Sequence, residues 1–136
     1  MKAYKNKGDY MFNNLSQLKK QIKVGDPVKV NNHLYGISEN RIIVKTQTNG
    51  FFSGKKLTQD EIDEKLKKGY FATNFAKING ETYSNVFFEY PKAKNSRIAN
   101  NKLEALVHTT KMSNGEESTY PSRGLTPGDV WIEFQF

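Results

Sequence analysis

The spacing of apolar and polar residues along this chain changes period several times, and each change marks an element. Leu15, Leu18 and Ile22 recur at helical spacing behind Asn13 and Asn14, while Lys19, Lys20 and Lys23 are left for solvent. This predicts a short helix over about 14–23, capped by Asn14, with Gln17 at the third helical position completing the cap. Beyond Ile22 the period drops to two. In KVGDPVKV, Val24, Val28 and Val30 take even positions around a Gly25–Asp26–Pro27 turn, so a strand begins there. The β-branched stretch RIIVKTQT, residues 41–48, runs into Asn49–Gly50, a pair that favours a two-residue hairpin turn, and Phe51 and Phe52 continue outward.

A second helix is predicted over about 58–68. Thr58 supplies the cap, Glu61 its reciprocal partner, Leu57 and Ile62 an apolar staple, and Gly69 the left-handed terminating residue. YFATNFAKI and ETYSNVFFEY then flank a further Asn79–Gly80 turn, and pairing across it sets Phe71 opposite Phe88 and Ala72 opposite Phe87. PKAKNSR reads as a basic loop opened by Pro91. KLEALVHTTKM reads as a strand with Leu103, Ala105 and Val107 on one side, ended by Asn114–Gly115. Pro121, Gly124, Pro127 and Gly128 make the stretch from Ser118 to Asp129 a loop of about twelve residues, longer than most connections. In VWIEFQF, Val130, Ile132, Phe134 and Phe136 alternate with Trp131, Glu133 and Gln135, the pattern of a strand with one buried face.

These elements define an α+β fold: a mainly antiparallel sheet, curled or closed into a small barrel, with two short helices. No parallel βαβ order, internal repeat or heptad run is present. Residues 1–11 lack periodicity and carry Lys2, Lys5 and Lys7 with Tyr4 and Tyr10, so they read as a flexible basic arm. A chain of 136 residues suits one core, and residues 12–136 are expected to form a single domain.

Composition removes whole classes of chemistry. Without cysteine there is no disulfide framework, no thiolate zinc site and no thiol nucleophile, and a reducing compartment is the natural reading. The basic N-terminus lacks the apolar stretch of a signal peptide, and no run approaches the roughly 18 apolar residues of a membrane span. The expectation is a cytoplasmic protein with no membrane partner. A formal charge of +7 predicts attraction to polyanions. Only Arg41, Arg97 and Arg123 are arginines, so lysine point charges, suited to unspecific contact, dominate. Lysine and asparagine are both abundant, as in chains from A/T-rich genomes, so the charge also has a purely compositional reading.

Candidate catalytic groups are sparse. His33 and His108 alone titrate near neutrality unperturbed, and they lie far apart in sequence, one in a turn and one in a strand. A metal site would need them to meet a carboxylate such as Asp26 or Asp129, and no ligand spacing supports that. Asp60, Glu61, Asp63 and Glu64 open a helix, where negative charge suits the macrodipole. No phosphate-binding glycine loop, dinucleotide fingerprint or nucleophile elbow occurs. The chain therefore reads as a non-enzymatic protein without a cofactor or metal. What remains is basic residues interleaved with aromatics: Lys45, Phe51, Phe52, Lys55 and Lys56 around the first hairpin, then Lys92, Lys94, Arg97 and Lys102 after the second. Such a surface can hold a phosphate backbone while rings stack on bases. Adjacent Phe residues in a strand point to opposite faces, so one of Phe51 and Phe52 is expected in the core.

The order KVGDPVKV, IIVKTQTNGFF, VFFEYPKA resembles small uncharacterised proteins encoded by bacteriophages and other mobile elements. In those a VG…V strand precedes a V.KVQTNGF hairpin and an aromatic-rich YPKA strand end. The likeness spans residues 20–95, with the helix of 58–68 as an insertion, and it implies provenance, hence a bacterial host cell, without an activity. Two functions are consistent with it. One is an accessory protein that binds nucleic acid or a nucleoprotein complex. The other is an anti-CRISPR-like inhibitor that docks on a host defence nuclease.

Overall fold

The computed structural model describes residues 10–32, 36–99, 101–111, 117–122 and 127–136. Helix α1 spans Leu15–Gln21, and Asn14 caps it by accepting from the Gln17 N–H at 2.9 Å. The Gln17 side chain reaches one residue past the cap, to the N–H of Asn13 at 2.6 Å. Strands β1 (Pro27–Asn32), β2 (Ile37–Gln47) and β3 (Gly50–Gly54) follow, then helix α2 (Gln59–Lys67). A small hairpin, β4 (Ala76–Ile78) with β5 (Glu81–Tyr83), leads to β6 (Val86–Glu89), β7 (Ser96–Ala99), β8 (Lys102–Lys111), β9 (Glu117–Pro121) and β10 (Asp129–Gln135).

The main sheet is antiparallel, in the order β6-β3-β2-β1-β10-β8-β7, and β9 continues past β7 along the same edge of β8. It curls into a half-barrel, so that Cα atoms of β6 and β9 come within 8 Å without pairing. Alternation decides which side chains line the inside. Val28 and Val30, Ile43, Phe51, Phe88, the Leu103–Ala105–Val107 row and the Val130–Ile132–Phe134–Phe136 row are all buried there. The rings interlock, with centroids 4.4 Å apart for Phe88 and Phe134 and 5.3 Å for Phe51 and Phe134. Such pairs add to the gain from area alone. Leu18 and Ile22 of α1 join this core, while Tyr10 and Phe12 pack their rings against Phe136.

Several sequence expectations need correction. The first hairpin turns at Thr48–Asn49, because Gln47 pairs with Gly50 and Thr46 with Phe51. Gly50 is needed for close approach instead: a Cβ there would meet the Phe88 carbonyl oxygen at 2.2 Å and the Phe87 ring at 2.8 Å. The second hairpin has the expected Asn79–Gly80 turn, both residues at positive φ, but pairs only as far as Ala76 and Tyr83. Phe87 and Phe88 belong to β6 and pair with Phe52 and Phe51 of β3, whereas Phe71 is 72% exposed at the head of a short 3-10 turn. Val24 is exposed ahead of the β1 turn. The basic loop after Pro91 ends in the first half of β7, and the Ser118–Asp129 loop contains most of β9.

Tyr10, placed in the basic arm by its composition, is fully buried, and its hydroxyl bonds to the buried Asp26. The Asp26 carboxylate also accepts the Lys23 N–H at 3.1 Å. Residues 1–9, His33, Arg123 and the Asn114–Gly115 turn lie outside the described residues.

Candidate functional site

The structure places the predicted lysine and aromatic residues in different settings. Phe51 is 0% exposed, inside the ring cluster, and has no face to offer a partner. Phe52 lies on the outer face against Phe87, at a centroid distance of 4.9 Å, with the Lys45 ammonium 5.6 Å from its ring. Lys55 pairs with Glu61 at 3.2 Å and Lys56 with Glu81 at 2.7 Å, and Lys102 lies 3.7 Å from Glu133. The Glu81 interaction raises the pKa of Lys56 and lowers that of Glu81, through the hydrogen bond first and then through charge. Arg97 stacks on Trp131 at 3.8 Å, directly across from Glu104. Lys55, Lys56 and Lys102 are thus offset by neighbouring acids.

The remaining lysines stand in a different setting. α1 presents Lys19 and Lys20 on its last turn, and the connection from β6 to β7 presents Lys92 and Lys94, all exposed. The Lys19 ammonium lies 4.8 Å above the Tyr90 ring, which joins the two segments. Both are free of acids: neither 10–25 nor 90–103 contains an Asp or a Glu. The Thr48–Asn49 hairpin tip is tied to the same region by the Tyr90 N–H, which donates to the Asn49 carbonyl at 2.9 Å. Burial pushes the Tyr90 phenol up to about 12, so it stays neutral beside the ammonium. Of these residues, sequence spacing picks out Lys92 and Lys94 and gives α1 no binding role. The signal that points to α1 is the absence of any carboxylate from the whole 10–25 stretch.

A cleft of about 1010 Å³ lies at the other end of the half-barrel, between its inner wall and residues 55–87. The register Val30↔Glu39 and Val28↔Arg41 turns the Glu39 and Arg41 side chains of β2 inward. Arg41 donates from Nε to Glu39 and from Nη1 to Ser53 Oγ at 3.1 Å, and remains 18% exposed. The segment over the cleft is held by its own caps. Thr58 and Glu61 exchange hydrogen bonds of 2.9 and 3.2 Å, and past the C-terminus Gly69 and Tyr70 donate to the Leu66 and Lys65 carbonyls. The cap N–H first, and Lys55 after it, hold the Glu61 carboxyl below its usual range.

His108 does meet a carboxylate. Its Nδ1 lies 2.8 Å from Asp129 Oδ1, and Ser122 Oγ donates to Asp129 Oδ2 at 2.5 Å. The serine hydroxyl is bonded to the carboxylate and not to the imidazole, so the three groups form no path from hydroxyl to ring nitrogen. Among the described residues no three His, Asp or Glu side chains cluster to hold a metal, and no helix is long and apolar enough to cross a membrane. The described residues form an α+β half-barrel that presents lysines on two segments whose own sequences contain no acid. Comparison with known families, curated proteins and solved structures finds no match to this chain.

Proposed function

We propose that this protein is a non-enzymatic accessory protein, of the phage or mobile-element type its sequence resembles, that binds nucleic acid through the lysines of α1 and of the β6–β7 connection. The observation that carries this reading is the stacking of Lys19 on Tyr90, which fuses two acid-free segments into one positive face. Lysine ammonium groups without carboxylate neighbours release phosphate counterions on binding, whereas ion-paired lysines gain little by exchanging one anion for another. The lysines engage the phosphate backbone, because Tyr90 is partly buried under Lys19 and a lysine ammonium is a point charge without the fork that reads base edges. This revises the candidate set: Lys92 and Lys94 stay, Lys19 and Lys20 enter, and Lys55, Lys56 and Lys102 serve the fold.

The test is fluorescence anisotropy with labelled single- and double-stranded oligonucleotides. Binding at about 50 mM salt should weaken roughly a hundredfold by about 200 mM if some four phosphates are neutralised. Failure to bind any oligonucleotide at the lower salt ends the proposal.

A further inference from the structure

We propose that the cleft beneath α2 is a binding site for a small monocarboxylate with a flat apolar body, anchored by Arg41. This site is separate from the lysine face and independent of nucleic-acid binding. Its size falls at the upper end of the usual range for small-molecule sites, and its lining sets apolar side chains among eight charged ones of balanced sign. Val86, which stays 40% exposed, and the half-buried rings of Tyr70 and Phe75 line it, so an aromatic or aliphatic body has apolar surface to cover.

Arg41 supplies the polar anchor and is held ready for it. Glu39 fixes Nε and Ser53 fixes Nη1, which sets the plane of the guanidinium before any ligand arrives. Those two bonds use two of its five N–H donors. The end formed by the second Nη1 hydrogen and both Nη2 hydrogens has no partner among the described residues. Two parallel N–H donors on one planar edge match the two oxygens of a carboxylate. The charge of the lining restricts the ligand further. Glu39, Asp60, Glu61 and Glu64 balance Arg41, Lys55, Lys65 and Lys68, so a polyphosphate meets as many acids as bases, while a single carboxylate needs only the Arg41 edge. The cover also suits ligand entry, because α2 buries no residue and is held by its end caps.

The experiment is a titration of the isotope-labelled full chain with 2-naphthoate, and with 2-naphthamide as its uncharged counterpart, followed by NMR. Naphthoate should give saturable shifts at the Arg41 Nε–H and at the Ser53 and Phe88 amides. Naphthamide should bind at least about tenfold more weakly, the minimum expected for losing a charged hydrogen bond. Arg41→Gln should weaken naphthoate by a similar factor. Because that variant strands Glu39, Glu39→Gln provides a second arm: it leaves the ligand as the guanidinium's only anion and should tighten naphthoate binding. Absence of saturable shifts at these groups overturns the proposal. So does equal affinity for acid and amide, or weaker naphthoate binding in a folded Glu39→Gln protein.

Discussion

The two helices of this protein are held in different ways, and the contrast separates what makes the fold from what the fold leaves available. α1 is a two-turn helix whose Leu18 and Ile22 enter the aromatic core and whose approach is pinned by Tyr10, Phe12 and the Tyr10–Asp26 bond. α2 buries nothing and persists through a reciprocal cap at one end and a glycine-terminated turn at the other. One helix is stabilised mainly by burial and the other by local hydrogen bonds. Accordingly the α1 end is packed and presents Lys19 and Lys20 on its exposed side, while the α2 end borders a cleft.

The sharpest way to break this contrast is to truncate matched leucines. Leu18→Ala should cost about 2–5 kcal/mol, as buried Leu truncations do. Leu66→Ala, at an exposed position of α2, should stay within about 0.5 kcal/mol. Denaturant unfolding measures both, and equal losses would show that α2 is packed as α1 is. Next in size, Thr58→Ala removes the cap that carries α2 and should cost about 1 kcal/mol. Amide exchange should then accelerate across residues 59–67 while α1 stays protected; uniform acceleration of both helices would deny α2 its local character.

A smaller effect comes with alkaline pH. Burial, followed by the bond to Asp26 and that residue's charge, holds the Tyr10 phenol far above its ordinary pKa, and burial raises Tyr90 to about 12. In the unfolded chain both ionise near about 10, so the folded state binds more protons above that pH. Their stabilisation is complete below about pH 10 and is lost as pH rises toward and past 12. The melting temperature should fall over that window, and Tyr90→Phe should remove part of the fall. A melting temperature indifferent to pH between about 9 and 12 would mean that these phenols are solvated.

Local features were the legible ones. Asn14, the Thr58–Glu61 box, Gly69 and the Asn79–Gly80 turn act over a few residues, and each does what its sequence neighbourhood implies. Long alternations were equally readable: the inward rows of β8 and β10 lie as their spacing predicts. Partner choice was not readable. Phe88 pairs with Phe51, which lies 37 residues earlier (88 − 51), and nothing near Asn79–Gly80 announces that its hairpin stops at Tyr83. Short strands such as SRIA and ESTYP lack the length to show a period and draw their order from β8. The site suffered most, because Lys56–Glu81 and Lys102–Glu133 are made by folding, and a lysine in sequence carries no mark of the acid it will meet. Arg41 left a faint trace, sharing the parity of Glu39 and Ile43 and so turning inward with them.

The measurement that bears most directly on the acid-free face is the salt dependence of nucleic-acid affinity in two paired variants. Replacing Lys19 and Lys92 together by Gln should flatten the slope of log K against log salt by about 1.8, roughly 0.9 for each phosphate left without its lysine. Replacing the ion-paired Lys56 and Lys102 by Gln should leave that slope where it was. If both variants flatten it equally, binding follows total charge and the acid-free face has no special part in it.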